Sequence, residues 1–480
     1  MHLLFVIREI DNEPHGILLI AALLKEHGHR VSLVVSTEEE PVSAAVRLRP
    51  DVVGYSVYTG TQRYYLDVNR RIRARLPVLS IFGGPHPTFF PEMIEEEGVD
   101  GICLGEGEQA TLDLLDALQE GRPYEGIRNW WFRLAGGRVV RNPLRPLLTS
   151  TELDALPFAD RQLLYDAHPP SRDNRIRPFI TGRGCPYNCS FCFNEAYSRL
   201  YGGDGHKPGL RRRSLDSVLA EIKAVAARYP LAFITFMDDT FILNPQWLRQ
   251  FEERYPREVG LPFWCQVRAN LVTEQVAALL KSSGCISVSY GIEAGNDRLR
   301  NQVLKRNMTR EEIANAADVL RARGLAFSTN NMLGLPGGGL AEDLETLALN
   351  VQCRPAYANV FLYQPYPKTE LGELCRSDGL MEGSFDDLSG SVTLGTPIRF
   401  QKRGEARQIE NLQKLFAVTV EFPWLLPLTR RLIGLPPNPA FWLAYKAWKG
   451  YAMKRRMFPF RLALREYLTA ALRYMRIKSQ

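Results

Sequence analysis

Across the first 120 positions, apolar residues come in short unbroken runs: Leu3–Ile7, Val31–Val35, Val52–Tyr58, Val78–Phe82 and Gly101–Leu104. Runs of this length without polar alternation predict strands covered on both faces. The stretches between them, such as Gly16–His27 and Arg63–Arg75, space their apolar residues at the helical period instead. Five such units predict a doubly wound, Rossmann-like domain built on a five-stranded parallel sheet. Sheets of this kind take ligands beyond the C-terminal ends of their strands. Those ends are chemically marked here: Ser56–Thr61 follows the third strand, Gly83-Gly84-Pro85-His86 the fourth and Gly105-Glu106-Gly107-Glu108 the fifth. Glycines at such places let backbone approach a large ligand closely. No GxGxxG follows the first strand, which counts against a dinucleotide site.

A hairpin is predicted next, with Trp130–Arg133 and Arg138–Arg141 around Ala135-Gly136-Gly137. A proline-marked connector through Pro157 and Pro169-Pro170 leads to a second βα series. Its strands are expected at Pro178–Thr181, Phe233–Met237, Phe263–Val267, Ile286–Gly291, Ala326–Leu333 and Asn359–Tyr363. Helical periodicity intervenes at Leu215–Arg228, Gln246–Arg254, Thr273–Lys281, Arg310–Ala322 and Ala341–Val351. Six units predict a partial (β/α)6 TIM barrel with its site at the strand C-termini. From about Glu382 onward the pattern turns helical, aromatic and basic. The chain is thus expected to be α/β, divided into residues 1–150, a linker over 151–172, a barrel over 173–380 and a mainly helical region over 381–480.

At 480 residues, 45% hydrophobic and 24% charged, the chain can bury more than one core. It has no apolar run long enough to span a membrane. The opening MHLLFVIREIDNEP reads as a first strand, not a leader, so a cytoplasmic location is expected. The net charge of +7 is uneven: residues 401–480 hold 16 Lys and Arg against 4 Glu, a balance of +12 that leaves −5 for the rest. Any acidic partner should therefore be sought at the tail. Its aromatics can pack on the barrel with the cations solvated, or meet an anionic membrane surface at the inner face. Nucleic acid is the weaker reading, because no recognisable nucleic-acid motif accompanies the charge.

Cys185, Cys189 and Cys192 form a CxxxCxxC triad just after the first barrel strand, while the other five of the eight cysteines are scattered. Clustered thiols in a reducing compartment point to metal. Three thiolates in one loop can hold an iron–sulfur cluster and leave one iron open for a substrate or cofactor. Zinc knots ordinarily supply four ligands, and the nearest histidine, His206, lies beyond a Gly-rich loop.

The triad, with Phe191 before its last cysteine, resembles that of the radical S-adenosylmethionine (SAM) superfamily. The likeness continues along the barrel. Asp238-Asp239 end FMDDTF, where that family binds the amino group of SAM. Gln266 and Arg268 in CQVRAN match positions that hold its carboxylate or line the site. Glu293 in GIEAG resembles the ribose-contacting motif, Leu335 in MLGLPG the segment against adenine, and Pro365-Tyr366-Pro367 the sixth-strand proline motif. Where many relatives have Glu-Thr after Pro-Gly, this chain has Gly338-Gly339, which puts a contact there in doubt. GGPHPTFFPE and LGEGEQA resemble the cobalamin-binding domains of cobalamin-dependent members. A methylthiotransferase does not fit, because residues 1–150 hold only Cys103, and the DxHxxG cobalt-ligating motif is absent.

The resemblance implies a 4Fe-4S cluster on the three cysteines, SAM, and cobalamin against Ser56, Tyr58, Thr59, Gly83, Gly84, Pro85, His86, Gly105, Glu106 and Gly107. Tyr58 is the candidate below the cobalt, and His86 reads as a polar contact or turn residue. The implied reaction is methyl transfer from methylcobalamin to an unactivated carbon, opened by a 5′-deoxyadenosyl radical and fed by a reductant such as flavodoxin or ferredoxin. A radical cyclase or ring-rearranging enzyme with the same cofactors is the alternative; a protein that only binds cluster and corrinoid, or carries electrons, is the alternative of another class. The substrate is expected to be a small molecule, lipid-like or amphiphilic if the tail bears on it. No residue stands out as catalytic.

Overall fold

The computed structural model describes residues 1–10, 12–202, 209–385, 388 and 391–457. Two compact units emerge, one of residues 1–178 with 211–231, the other of 179–210 with 232–480. Residues 151–172 hold three short helices that group with the first unit, as does the helix Leu215–Arg228.

The first unit is built on β1 (His2–Ile7), β2 (Arg30–Val35), β3 (Val52–Ser56), β4 (Leu79–Gly83) and β5 (Gly101–Cys103). These pair in parallel in the order β2-β1-β3-β4-β5. The predicted hairpin, β6 (Trp130–Arg133) and β7 (Val139–Arg141), adds antiparallel to β5, so the sheet has seven strands, two more than expected. A hairpin pairs its own backbone and can therefore close a sheet edge. Every residue of β1 is buried. Leu3, Phe5 and Ile7 pack with helix α1 (His15–Glu26), whereas Leu4 and Val6 pack with Val68 and Ile72 of α2 (Gln62–Arg73). Alternate side chains thus serve opposite layers, which is why the strand is apolar throughout.

In the second sheet the strands β8 (Ile176–Phe179, of which only Phe179 falls in the second unit), β9 (Phe233–Phe236), β10 (Phe263–Gln266), β11 (Cys285–Glu293), β12 (Ala326–Leu333) and β13 (Tyr357–Leu362) lie in sequence order. From β9 to β13 each pair is parallel. Sequential parallel strands with helical crossovers curl into part of a barrel. After the last strand come α3 (Glu405–Glu421), α4 (Leu426–Leu432) and α5 (Pro439–Ala452). Helix α3 covers the outer face of β13, joining Leu412 and Phe416 to Val360 and Leu362. The predicted tail beyond Met457 lies outside the described residues.

A charged cluster is sealed inside the first unit. Glu13 faces Arg161 and lies 3.5 Å from Arg177, whose side chain is wholly enclosed, and Tyr165 donates to its carboxylate at 2.9 Å. Burial alone would raise the carboxyl of Glu221, but Arg213 and Arg161 overcome it and hold it below the usual range. His15, first by burial and then by Arg161, is pushed down to about 4. An imidazole kept neutral in the fold and free to protonate when unfolded costs stability as pH falls from about 6.5 towards about 4. The unfolding midpoint should therefore drop on acidification through this range, and His15→Gln should shallow that slope; an unchanged slope in calorimetry would refute the assignment.

Candidate active site

The three cysteines sit in the loop leaving β8. Ser190 anchors this loop: its N–H donates to Leu304 O at 3.2 Å, its hydroxyl to Val303 O, and its carbonyl accepts from Leu371 N–H at 2.9 Å. Cys189 is buried, and Cys185 and Cys192 are partly so. Burial raises the thiol of Cys185 and pushes that of Cys192 up to about 12. Thiols in this state wait for a cation to deprotonate them. Among the described residues no three His, Cys, Asp or Glu side chains converge on one point as around a single ion. Three thiols from one loop suit a cluster, where each sulfur takes a different iron, whereas zinc ordinarily takes four ligands.

The strand ends supply the walls. Asp238 is buried, and its carboxylate accepts from Thr181 Oγ1 at 2.6 Å and Thr181 N–H at 3.2 Å. It fastens the end of β9 to that of β8, leaving Asp239 as the exposed member of the pair. Crowding by neighbouring protein raises the carboxyl of Asp239, against a hydrogen bond from Asn194. Gln266 ends β10 half-buried. Arg268 is buried and lies 3.7 Å from the centre of the Tyr187 ring, donating to Asn270 Oδ1 at 2.9 Å and to Arg306 O. Phe191 packs in one apolar group with Leu335 and Tyr363.

Glu293 closes β11 at φ 65°, a left-handed backbone that a non-glycine residue adopts at a cost of about 1–3 kcal/mol. A bulge between Gly291 and Glu293 sets this turn. The glutamate carboxylate folds back over Gly291, where an added Cβ would fall 1.9 Å from Oε1. A side chain at Gly291 would therefore displace the glutamate carboxylate two residues on. Burial raises the carboxyl of Glu293, and Arg306 and Arg268 pull it back.

Sequence reasoning missed the group that joins these parts. Arg306 donates through Nη1 to Cys189 Sγ at 3.5 Å and through Nη2 to Gly291 O at 2.8 Å, while its buried Nε has no partner. Burial opposes its charge, but Glu293 and Cys189 overcome that. Arg300, wholly enclosed, holds the loop that delivers it by donating to Met308 O, Ala294 O and Gly295 O. The only sequence signal was a run of cations, LRNQVLKR, in which Arg300 has Asp297 at helical spacing and Arg306 has no such carboxylate before it. At Gly339 the missing side chain makes room for Glu405, whose carboxylate accepts the Leu340 N–H at 3.0 Å. The carboxylate absent from the Pro-Gly segment is therefore supplied from α3.

In the first unit the marked loops share the C-terminal edge of the sheet. Val57 N–H donates to Gly83 O at 2.8 Å, and His86 N–H to Val57 O at 2.9 Å. Gly84, at φ 94°, is tight: an added Cβ would lie 3.0 Å from both Ser56 Oγ and Val57 N. The buried His86 ring stacks 4.6 Å from Phe90 and its Nδ1 lies 3.2 Å from Thr59 Oγ1. Gly105 N–H donates to Thr88 Oγ1 at 3.0 Å, and Gly107 precedes the helix Glu108–Glu120. The carboxylate of Glu106 is engaged by Arg211 at 2.8 Å and by Leu148 N–H at 3.0 Å. Tyr58 is 60% exposed, Pro85 is exposed and Gly83 is half-buried at this edge.

Residues 179–349 match the radical SAM superfamily and residues 2–115 the B12-binding domain. The chain is 27% identical over 379 residues to an uncharacterized methyltransferase of Pyrococcus horikoshii, covering 77% of this chain and 79% of the relative. It is 26% identical over 380 residues to the anaerobic magnesium-protoporphyrin IX monomethyl ester cyclase of Rubrivivax gelatinosus, covering 75% and 65%. In fold it is similar to the radical SAM methyltransferase TsrM from Kitasatospora setae, solved with cobalamin and a 4Fe-4S cluster, at a TM-score of 0.66 and 19% identity over 83% of this chain and 79% of that one. Fold and sequence together define an enzyme with a B12-binding domain ahead of a radical SAM barrel. The chain belongs to the cobalamin-binding radical SAM enzymes, whose cofactors are a 4Fe-4S cluster, SAM and cobalamin.

Two outcomes test this site. Replacing Cys185, Cys189 or Cys192 by Ala should abolish the brown absorbance of anaerobically reconstituted protein; retained iron would remove the ligand assignment. Gly291→Ala should keep the absorbance but weaken SAM binding by about ten-fold or more, since about 1.4 kcal/mol of lost positioning suffices; unaltered calorimetric affinity would exclude Glu293 from the site.

Proposed function

We propose that this enzyme methylates an unactivated carbon of a small amphiphilic molecule. The observation that carries the reading is the succession of B12-binding and radical SAM domains in one chain, together with a relative named as a methyltransferase. When bound, the cluster, SAM and cobalamin supply the electron-transfer and methyl-carrier chemistry.

The residues of the chain bind, orient and exclude water. Cys185, Cys189 and Cys192 take three irons, and the absence of a fourth local cysteine leaves room for SAM. Arg268 and Arg306 place two fixed cations beside Cys189, where they favour the negatively charged sulfur and an incoming carboxylate. Asp239 and Gln266 offer polar contacts at the rim, with Asp238 holding Asp239 in place. Glu293 presents its carboxylate from a backbone that admits few alternatives. Phe191 and Leu335 form an apolar wall suited to a base. The loops at Ser56–Thr59, Gly83–His86 and Gly105–Gly107 fit the edge of a corrin. A low-potential reductant of the flavodoxin or ferredoxin type, a cytoplasmic location and peripheral membrane contact complete the reading.

The ring-forming reaction is the second reading, favoured by the likeness to the magnesium-protoporphyrin ester cyclase. Product analysis separates the two. Reconstituted without oxygen and given reductant, SAM and extract from a deletion strain, the enzyme should form both 5′-deoxyadenosine and S-adenosylhomocysteine. Deoxyadenosine without S-adenosylhomocysteine would assign it to ring formation or rearrangement, and neither product would defeat both readings.

A further inference from the structure

Helix α5 is apolar over most of its circumference, interrupted by Lys446 and Lys449 on the flank that carries Trp442. Phe441, Tyr445 and Ala452 are buried, Phe441 against the core of α3 and Ala452 against Ala417. On the opposite side Leu443, Ala447 and Tyr451 recur every four residues, with Leu443 61% and Tyr451 50% exposed. A helix with so narrow a polar stripe is ordinarily covered on more than one side.

The exposed stripe continues beyond the helix. Tyr451 lies 5.5 Å from the Trp448 ring, Trp448 5.6 Å from Phe422, and Phe422 6.2 Å from Trp424. Trp424 is 74% exposed, and Leu428, four residues on, is also open to solvent. These side chains form one connected apolar surface. Its charge has a single sign: residues 422–457 contain seven Lys and Arg and no Asp or Glu. Arg456 lies 5.5 Å from the Trp448 ring centre and is paired with Glu421, and Lys446 lies 5.7 Å from that of Trp442. Among the described residues no helix is long and apolar enough to cross a membrane.

We propose that this face docks on an anionic phospholipid bilayer, lying in the headgroup region without spanning it. Indole and phenol rings favour that depth, and the cations meet lipid phosphates. The composition disfavours other occupants. A second copy would press one predominantly cationic face against another of the same sign. A nucleic acid would use the cations and rings but leave Leu428 and Leu443 in water. The proposal gives the membrane contact of the preceding reading a defined surface, and it stands or falls apart from methyl transfer.

The test is sedimentation of the full-length, cofactor-loaded protein with vesicles of phosphatidylcholine alone or mixed equally with phosphatidylglycerol. Binding to the mixed vesicles should be about ten-fold tighter or more and should weaken with added salt. The triple variant Trp424→Ser, Leu443→Ser, Tyr451→Ser should lose about ten-fold in binding. The double variant Arg430→Ala, Arg431→Ala should weaken it separately, and it touches no packed side chain. Both should keep cluster absorbance and melting temperature. Equal binding to the two vesicle types, full binding by both variants, or a concentration-dependent dimer abolished by the triple variant would each overturn the proposal.

Discussion

Two guanidinium groups sealed beside one sulfur are the arrangement on which the candidate site depends. Arg268 and Arg306 are both buried, and each directs an N–H towards Cys189. Like charges this close in a weakly polarisable interior are costly, by several kcal/mol, unless negative charge accompanies them. Glu293 is the carboxylate at hand, and the cysteine sulfurs would add negative charge once they hold metal. Burial lowers Arg268, helped by Arg306, whereas Glu293 and Cys189 keep Arg306 charged. The site is therefore preorganised for additional negative charge before any ligand arrives.

The supporting structure follows from that demand. A buried guanidinium must have its donors met, and the backbone meets them: Gly291 O accepts from Arg306, and Arg306 O from Arg268. Arg300 repeats the device one layer out, tying the two ends of the β11 connection together. Ser190 links the cysteine loop to the same connection through Val303 and Leu304. The left-handed Glu293 is held because everything around it is fixed. In the first unit the same economy applies to backbone: Gly84, at a positive φ, is dictated by Ser56 and Val57 packed against it.

Both βα series were legible because strands buried on both faces are mainly apolar, even though β11 and β12 enclose Ser287, Ser289, Thr329 and Asn331, and a helix against them carries an apolar stripe. All six barrel strands and all five main helices between them lie within a few residues of where periodicity put them. The hairpin was legible too, but not its pairing with β5, since pairing partners leave no mark in local pattern. Arg306 and Arg300 were invisible for a similar reason. Arg306 meets Cys189 across 117 residues, Arg300 donates to carbonyls five to eight residues away, and nothing in LRNQVLKR separates a buried arginine from a solvated one.

By itself the sequence determined the alternation of strand and helix, the cysteine triad and the strand ends that carry polar residues, because each is written in spacing. Tertiary structure decided how those residues are used. It turned Asp238 inward to Thr181, gave the carboxylate of Glu106 to Arg211, brought Glu405 to the helix start that Gly338-Gly339 left bare, and placed Arg306 against Cys189. Hydrogen bonds and charge compensation depend on distance in space, and only the folded chain sets those distances.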